Sequence, residues 1–107
     1  MTIPFNPNDT GESAANAAVA VTYAALADRC HVLWQIEWSY SAAPTGSLTI
    51  TDGGTTMLQL DITAAGPDSI VYEPPKKAKL NSAVVVTLAA GGAGVVGKLN
   101  VTHSTEA

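Results

Sequence analysis

A chain of 107 residues with 47% hydrophobic and 13% charged side chains, 9 Gly, 6 Pro and one Cys has the make-up of one packed domain, not of a disordered segment. Nine carboxylates against five basic residues leave a net charge of −4, too few cations to track a phosphate backbone, so no nucleic-acid partner is expected. A lone Cys30 cannot form an intramolecular disulfide or a thiolate metal site, and no apolar run is long enough to span a bilayer, so neither a disulfide scaffold nor a membrane protein is expected.

Residues 1–16 hold Pro4, Pro7 and Gly11 but only two bulky apolar side chains, Ile3 and Phe5, too little to offset their own ordering entropy. They read as an extended N-terminal arm, and 17–107 as the folded domain. The arm has neither the basic nor the apolar region of a secretory signal, so synthesis and first use in a cytoplasm are expected.

From Ala18 to Leu26 the Ala content would suit a helix, but Val19, Val21 and Tyr23 alternate with Ala20, Thr22 and Ala24, which favours a strand. Cys30–Ser41 alternates more clearly. Cys30, Val32, Trp34, Ile36, Trp38 and Tyr40 form one side, and His31, Leu33, Gln35, Glu37, Ser39 and Ser41 the other. Ser47–Thr51 and Thr55–Thr63 flank Asp52-Gly53-Gly54, the signal of a tight antiparallel hairpin. Ser69–Glu73 reads as a short strand ended by Pro74-Pro75, followed by a loop with Lys76, Lys77 and Lys79. Ala83–Ala90 and Val95–His103, joined by Gly91-Gly92-Ala93-Gly94, read as a second hairpin. About seven short strands at this spacing predict an all-β fold, a small antiparallel β-sandwich of jelly-roll type.

The inventory for catalysis is thin. Cys30 and His31 are neighbours in a strand, so they point to opposite faces and cannot act as nucleophile and base. His31 and His103 are far apart in sequence and make a weak metal signal. The Gly91–Gly94 turn leads into a strand, not into the helix N-terminus of a phosphate cradle. No enzyme, cofactor or metal is expected. Trp34, Trp38 and Tyr40 share a face in the alternation; exposed, they would stack on sugar rings as in a carbohydrate-binding module. With Val32 and Ile36 between them, the stripe reads instead as core.

The segment Lys79-Leu80-Asn81-Ser82-Ala83 through Gly97-Lys98-Leu99-Asn100-Val101-Thr102, preceded by Leu48-Thr49-Ile50-Thr51-Asp52-Gly53, resembles small virion proteins of tailed bacteriophages. The resemblance covers about Cys30 to Thr102 as a pattern of strand and turn composition. It implies a capsid decoration or cement protein on the virion surface, often a homotrimer, with the major capsid protein as partner and no catalytic residues. Ile3, Phe5, Lys76, Lys77 and Lys79 are then the candidate capsid or subunit contacts. A tail- or fibre-associated virion protein of the same fold and a glycan-binding module are the alternatives.

Overall fold

The computed structural model describes residues 8–106, so Ile3 and Phe5 lie outside the described residues. Eight strands follow one another: β1 (Asn8–Glu12), β2 (Val19–Tyr23), β3 (Cys30–Tyr40), β4 (Gly46–Asp52), β5 (Thr55–Ile62), β6 (Gly66–Lys77), β7 (Val84–Leu88) and β8 (Gly97–Glu106). They form two four-stranded antiparallel sheets in the orders β1-β8-β3-β6 and β2-β7-β4-β5. Successive strands alternate between the sheets except at the β4–β5 hairpin, which is the jelly-roll arrangement the strand and turn spacing predicts. The Ala-rich second segment is a strand, as its alternation indicates. The stretch expected to be an arm contributes β1, which lies along β8 from Asn8 to Glu12 at the edge of the first sheet.

The β4–β5 hairpin forms where Asp52-Gly53-Gly54 places it. Gly53 and Gly54 have φ of 57° and 87°, a region that side-chain-bearing residues enter only at a cost. Two expectations about the other turns change. β7 and β8 are not a hairpin: β7 lies between β2 and β4, and β8 lies between β1 and β3 in the opposite sheet. The glycine-rich segment between them therefore crosses from one sheet to the other. Nor do Pro74 and Pro75 end their strand. Pairing of β6 with β3 runs to Val71 and resumes at Lys76, so the prolines fall where the ladder asks for no N–H donor.

The core is made by the inward faces of the four central strands. Ile36, Trp38 and Tyr40 of β3 and Leu99 and Val101 of β8 meet Leu48 and Ile50 of β4 and Val84, Val86 and Leu88 of β7. Each fully buried aliphatic side chain here contributes about 1.5–3 kcal/mol relative to exposure, enough collectively for a domain without disulfides. Tyr40 fits because the backbone beside it carries glycine. A Cβ on Gly91 would stand 2.8 Å from its ring, and its hydroxyl donates to the Ala89 carbonyl at 2.6 Å.

Candidate functional site

The site begins with a fault in the alternation of β3. Leu33 pairs with His103 of β8 and Gln35 with Thr102, so Trp34 is an extra residue with no partner, a one-residue β-bulge. The cause is in the spacing of the inward side chains. His31 and Leu33 face in before the bulge, and Ile36, Trp38 and Tyr40 face in after it, so the count from Leu33 to Ile36 is three instead of two. The bulge absorbs the odd residue. As a result Trp34 does not share a face with Trp38 and Tyr40. Trp38 and Tyr40 are buried in the core, at 6% and 2% exposure, whereas Trp34 stands on the outer face of the first sheet at 36%.

Trp34 is held there from the neighbouring strand, its indole Nε1–H donating to Ser104 Oγ of β8 at 2.8 Å. It lines two open hollows. One, of about 420 Å³, is shared with Gln35, Val71, Glu73, Pro75 and Thr102; the other, of about 310 Å³, with Val32, Pro75, Ser104 and Thr105. Val71, opposite Gln35 on β6, is 64% exposed and extends the apolar surface beside the indole. Around these apolar groups stand the Gln35 amide, the carboxylates of Glu73 and Glu106, and the hydroxyls of Thr102, Ser104 and Thr105. This is a shallow amphipathic platform on rigid strands, a kind of surface suited to binding.

The basic residues do not converge. Lys76 and Lys77 belong to β6 and not to a loop. The Lys76 ammonium lies 5.9 Å from the centre of the Tyr72 ring, and Lys77 pairs with Glu106 of β8 at 2.9 Å. That carboxylate raises the Lys77 pKa. Lys79 lies past the strand end, its backbone N–H donating to Asp52 Oδ2 at 3.0 Å. Among the described residues no cluster of three or more His, Cys, Asp and Glu could hold a metal ion.

A second polar cluster is buried at the β1–β2 end of the sandwich. His31 and His103 are 3% and 8% exposed, and His31 Nδ1 lies 2.8 Å from His103 Nε2. His31 is thus interior. Its Nε2 is 2.8 Å from the Ala24 carbonyl, which can only accept. His31 therefore carries its proton on Nε2 and, when neutral, presents the Nδ1 lone pair to the N–H of His103. The Tyr23 ring stacks on His103 at 3.7 Å between centroids, and its hydroxyl donates to Asp9 Oδ2 at 2.7 Å. Burial lowers the His103 pKa, helped by His31 and opposed by Asp9; burial, with Asp9 as acceptor and charge, raises that of Tyr23. The cluster ties β1, β2, β3 and β8 together. The pairing of the two histidines was not visible in sequence because it depends on Leu33 and His103 being neighbours across the bulged ladder.

No protein-family model and no curated protein matches the chain. Solved structures with a similar trace include "EclA C-terminal domain; sugar-binding protein", 11% identical with TM-score 0.49 over 99% of this chain and 83% of that one. A "Carbohydrate-Binding Module CBM36 in complex with calcium and xylotriose" is 14% identical with TM-score 0.43, over 99% and 93%. A "de novo designed double-stranded beta-helix" is 7% identical with TM-score 0.43, over 92% and 99%. All three scores are below 0.5, and the assignment as a small β-sandwich rests on this chain's own two sheets.

Proposed function

We propose that this chain is a non-enzymatic binding module that takes a carbohydrate on the Trp34 face of its first sheet. The observation that supports this reading is an exposed indole on a strand scaffold whose N–H is already committed to Ser104. An aromatic ring fixed before the ligand arrives offers its apolar surface to the C–H face of a sugar with little entropy left to lose. Gln35, Glu73, Thr102 and Ser104 beside it provide donors and acceptors for ring hydroxyls. The test is affinity electrophoresis through gels containing soluble polysaccharides, together with a glycan array. Retardation by at least one glycan class is expected, with affinity falling about tenfold, or about 1.4 kcal/mol, in Trp34→Ala. If no glycan retards the protein, or the variant is retarded equally, the reading is wrong.

A virion surface protein that docks on a capsid through this same face is the second reading. It is favoured by Val71, whose 64% exposure next to Trp34 gives the platform an apolar flank that suits a protein surface better than a sugar. Co-sedimentation with undecorated capsids separates the two: capsid binding lost in Trp34→Ala without any glycan binding selects this second reading.

A further inference from the structure

Each sheet ends in two edge strands, and three of the four edges are guarded. β1 and β2 are five residues long, and β6 carries Pro67, Pro74, Pro75, Lys76 and Lys77. Short length, proline and lysine are the usual means by which an edge is kept from pairing with another chain. β5 has none of them. Its eight residues, Thr55–Ile62, contain no Pro, Lys or Arg, and Asp61 is their single charge.

A second observation points the same way. Leu60 pairs with Leu48 of β4 and Leu58 with Ile50, and directly opposed residues point to the same face. Leu48 and Ile50 are fully buried, so Leu58 and Leu60 also face the core. Yet Leu60 is 36% exposed, because among the described residues no strand lies beyond it. A core-facing leucine at an unguarded edge is what a sheet shows where its next strand comes from another molecule.

We propose that two copies of this chain join through β5, antiparallel across a two-fold axis at Gln59, making one continuous eight-stranded sheet from two four-stranded ones. The register follows from the side chains. Centring on Gln59 places Leu58 of each copy opposite Leu60 of the other on the core side, and Gln59 opposite its own copy on the outer side. It sets Asp61 against Met57, so that no carboxylate meets another. Moving the axis by half a residue would oppose inward leucines to outward polar groups. Moving it by a whole residue to Leu58 would set Leu60 against Thr56, or to Leu60 would set Asp61 against Gln59, so the axis at Gln59 is the one that opposes the two leucines to each other.

The experiment is sedimentation velocity on the full chain at sub-millimolar concentration, with circular dichroism to verify the fold. Gln59 is exposed, so Gln59→Lys and Gln59→Glu leave each monomer intact but set like charges face to face on the axis. Wild type is expected at twice the monomer mass. Each variant alone is expected to dissociate at least tenfold more readily, and an equimolar mixture of the two to recover the dimer. A wild type that stays monomeric or sediments at three times the monomer mass overturns the proposal. So does a dimer that both variants leave unchanged, or a mixture no tighter than either variant alone.

Discussion

His31 and His103, 72 residues apart in the chain, meet in the interior with Nδ1 of one 2.8 Å from Nε2 of the other. The pair can share one added proton and keep its hydrogen bond, but a second would set two N–H groups and two charges against each other. Asp9 from β1, Tyr23 from β2 and, through its charge, Asp52 from β4 also face it. Because the His103 pKa lies below the ordinary 6.5 in the folded protein, the unfolded chain binds more protons below that pH. Stability from this group is complete above pH 6.5 and falls as the pH drops through that value toward the lower folded one. Thermal melts between pH 8 and pH 5 should therefore show a falling Tm, and His103→Gln should flatten that slope. An equally steep slope in the variant would show that other groups cause it.

Asp52, 5% exposed at the end of β4, accepts from the Lys79 N–H at 3.0 Å and the Ser82 hydroxyl at 2.5 Å. Burial alone would raise its pKa, but these two donors and the Lys79 and His31 charges outweigh it and hold the carboxyl below 3.8. Its contribution is present above pH 3.8 and is lost as the pH falls through its lower folded value. Asp52→Ala leaves both donors without their acceptor and is expected to cost about 1–3 kcal/mol in urea unfolding at pH 7. A loss within error of zero would mean that water replaces the carboxylate freely.

Gly91 is required by close approach. A Cβ there would lie 2.6 Å from Val95 Cγ1 and 2.8 Å from Tyr40 Cδ1. Gly91→Ala should destabilise the protein by about 1–3 kcal/mol through overpacking. Tyr40→Phe, which removes only the hydroxyl donating to Ala89, should cost less, about 0.5–1.5 kcal/mol. Chemical denaturation of the two variants side by side gives the order.

The two tryptophans should behave oppositely. Trp38→Ala is expected to cost about 3–5 kcal/mol, whereas Trp34→Ala should leave stability within about 1 kcal/mol. In fluorescence, Trp34→Phe should leave a blue-shifted emission that acrylamide barely quenches, and Trp38→Phe a red-shifted, quenchable one. Similar quenching in both variants would contradict the exposures of 36% and 6%.

The jelly roll was legible because alternation and turn chemistry act locally: Trp38 and Tyr40, Leu48 and Ile50, and the Asp52-Gly53-Gly54 turn each behave as their neighbours dictate. The glycine-rich turn before β8 was misread because a short polar connection fits a hairpin and a crossing between sheets equally well; only the pairing of β7 with β2 and β4 decides. The platform was half legible. Trp34 stood out as an aromatic, but strict alternation placed it in the core. The signal that could have moved it was Leu33, an apolar residue on the otherwise polar side, three positions before Ile36. Val71 and Ser104, which flank and hold the indole, carry no local mark at all, since their roles arise only once β6 and β8 lie on either side of β3.

The bulge at Trp34 also makes the outer platform and the inner packing two readings of one residue count. Deleting Trp34 would close the bulge and leave His31 and Leu33 on the core side in even alternation with Ile36, whereas flattening the bulge with the residue kept would turn the first half of β3 over, sending His31 and Leu33 to solvent and drawing Cys30 and Val32 inward. Exchanging the side chain at this position changes the outer platform, whereas the facing of the whole first half of β3 depends on one residue being looped out here. The inner packing thus depends on where the odd residue is set aside, and the outer face on which residue is set there.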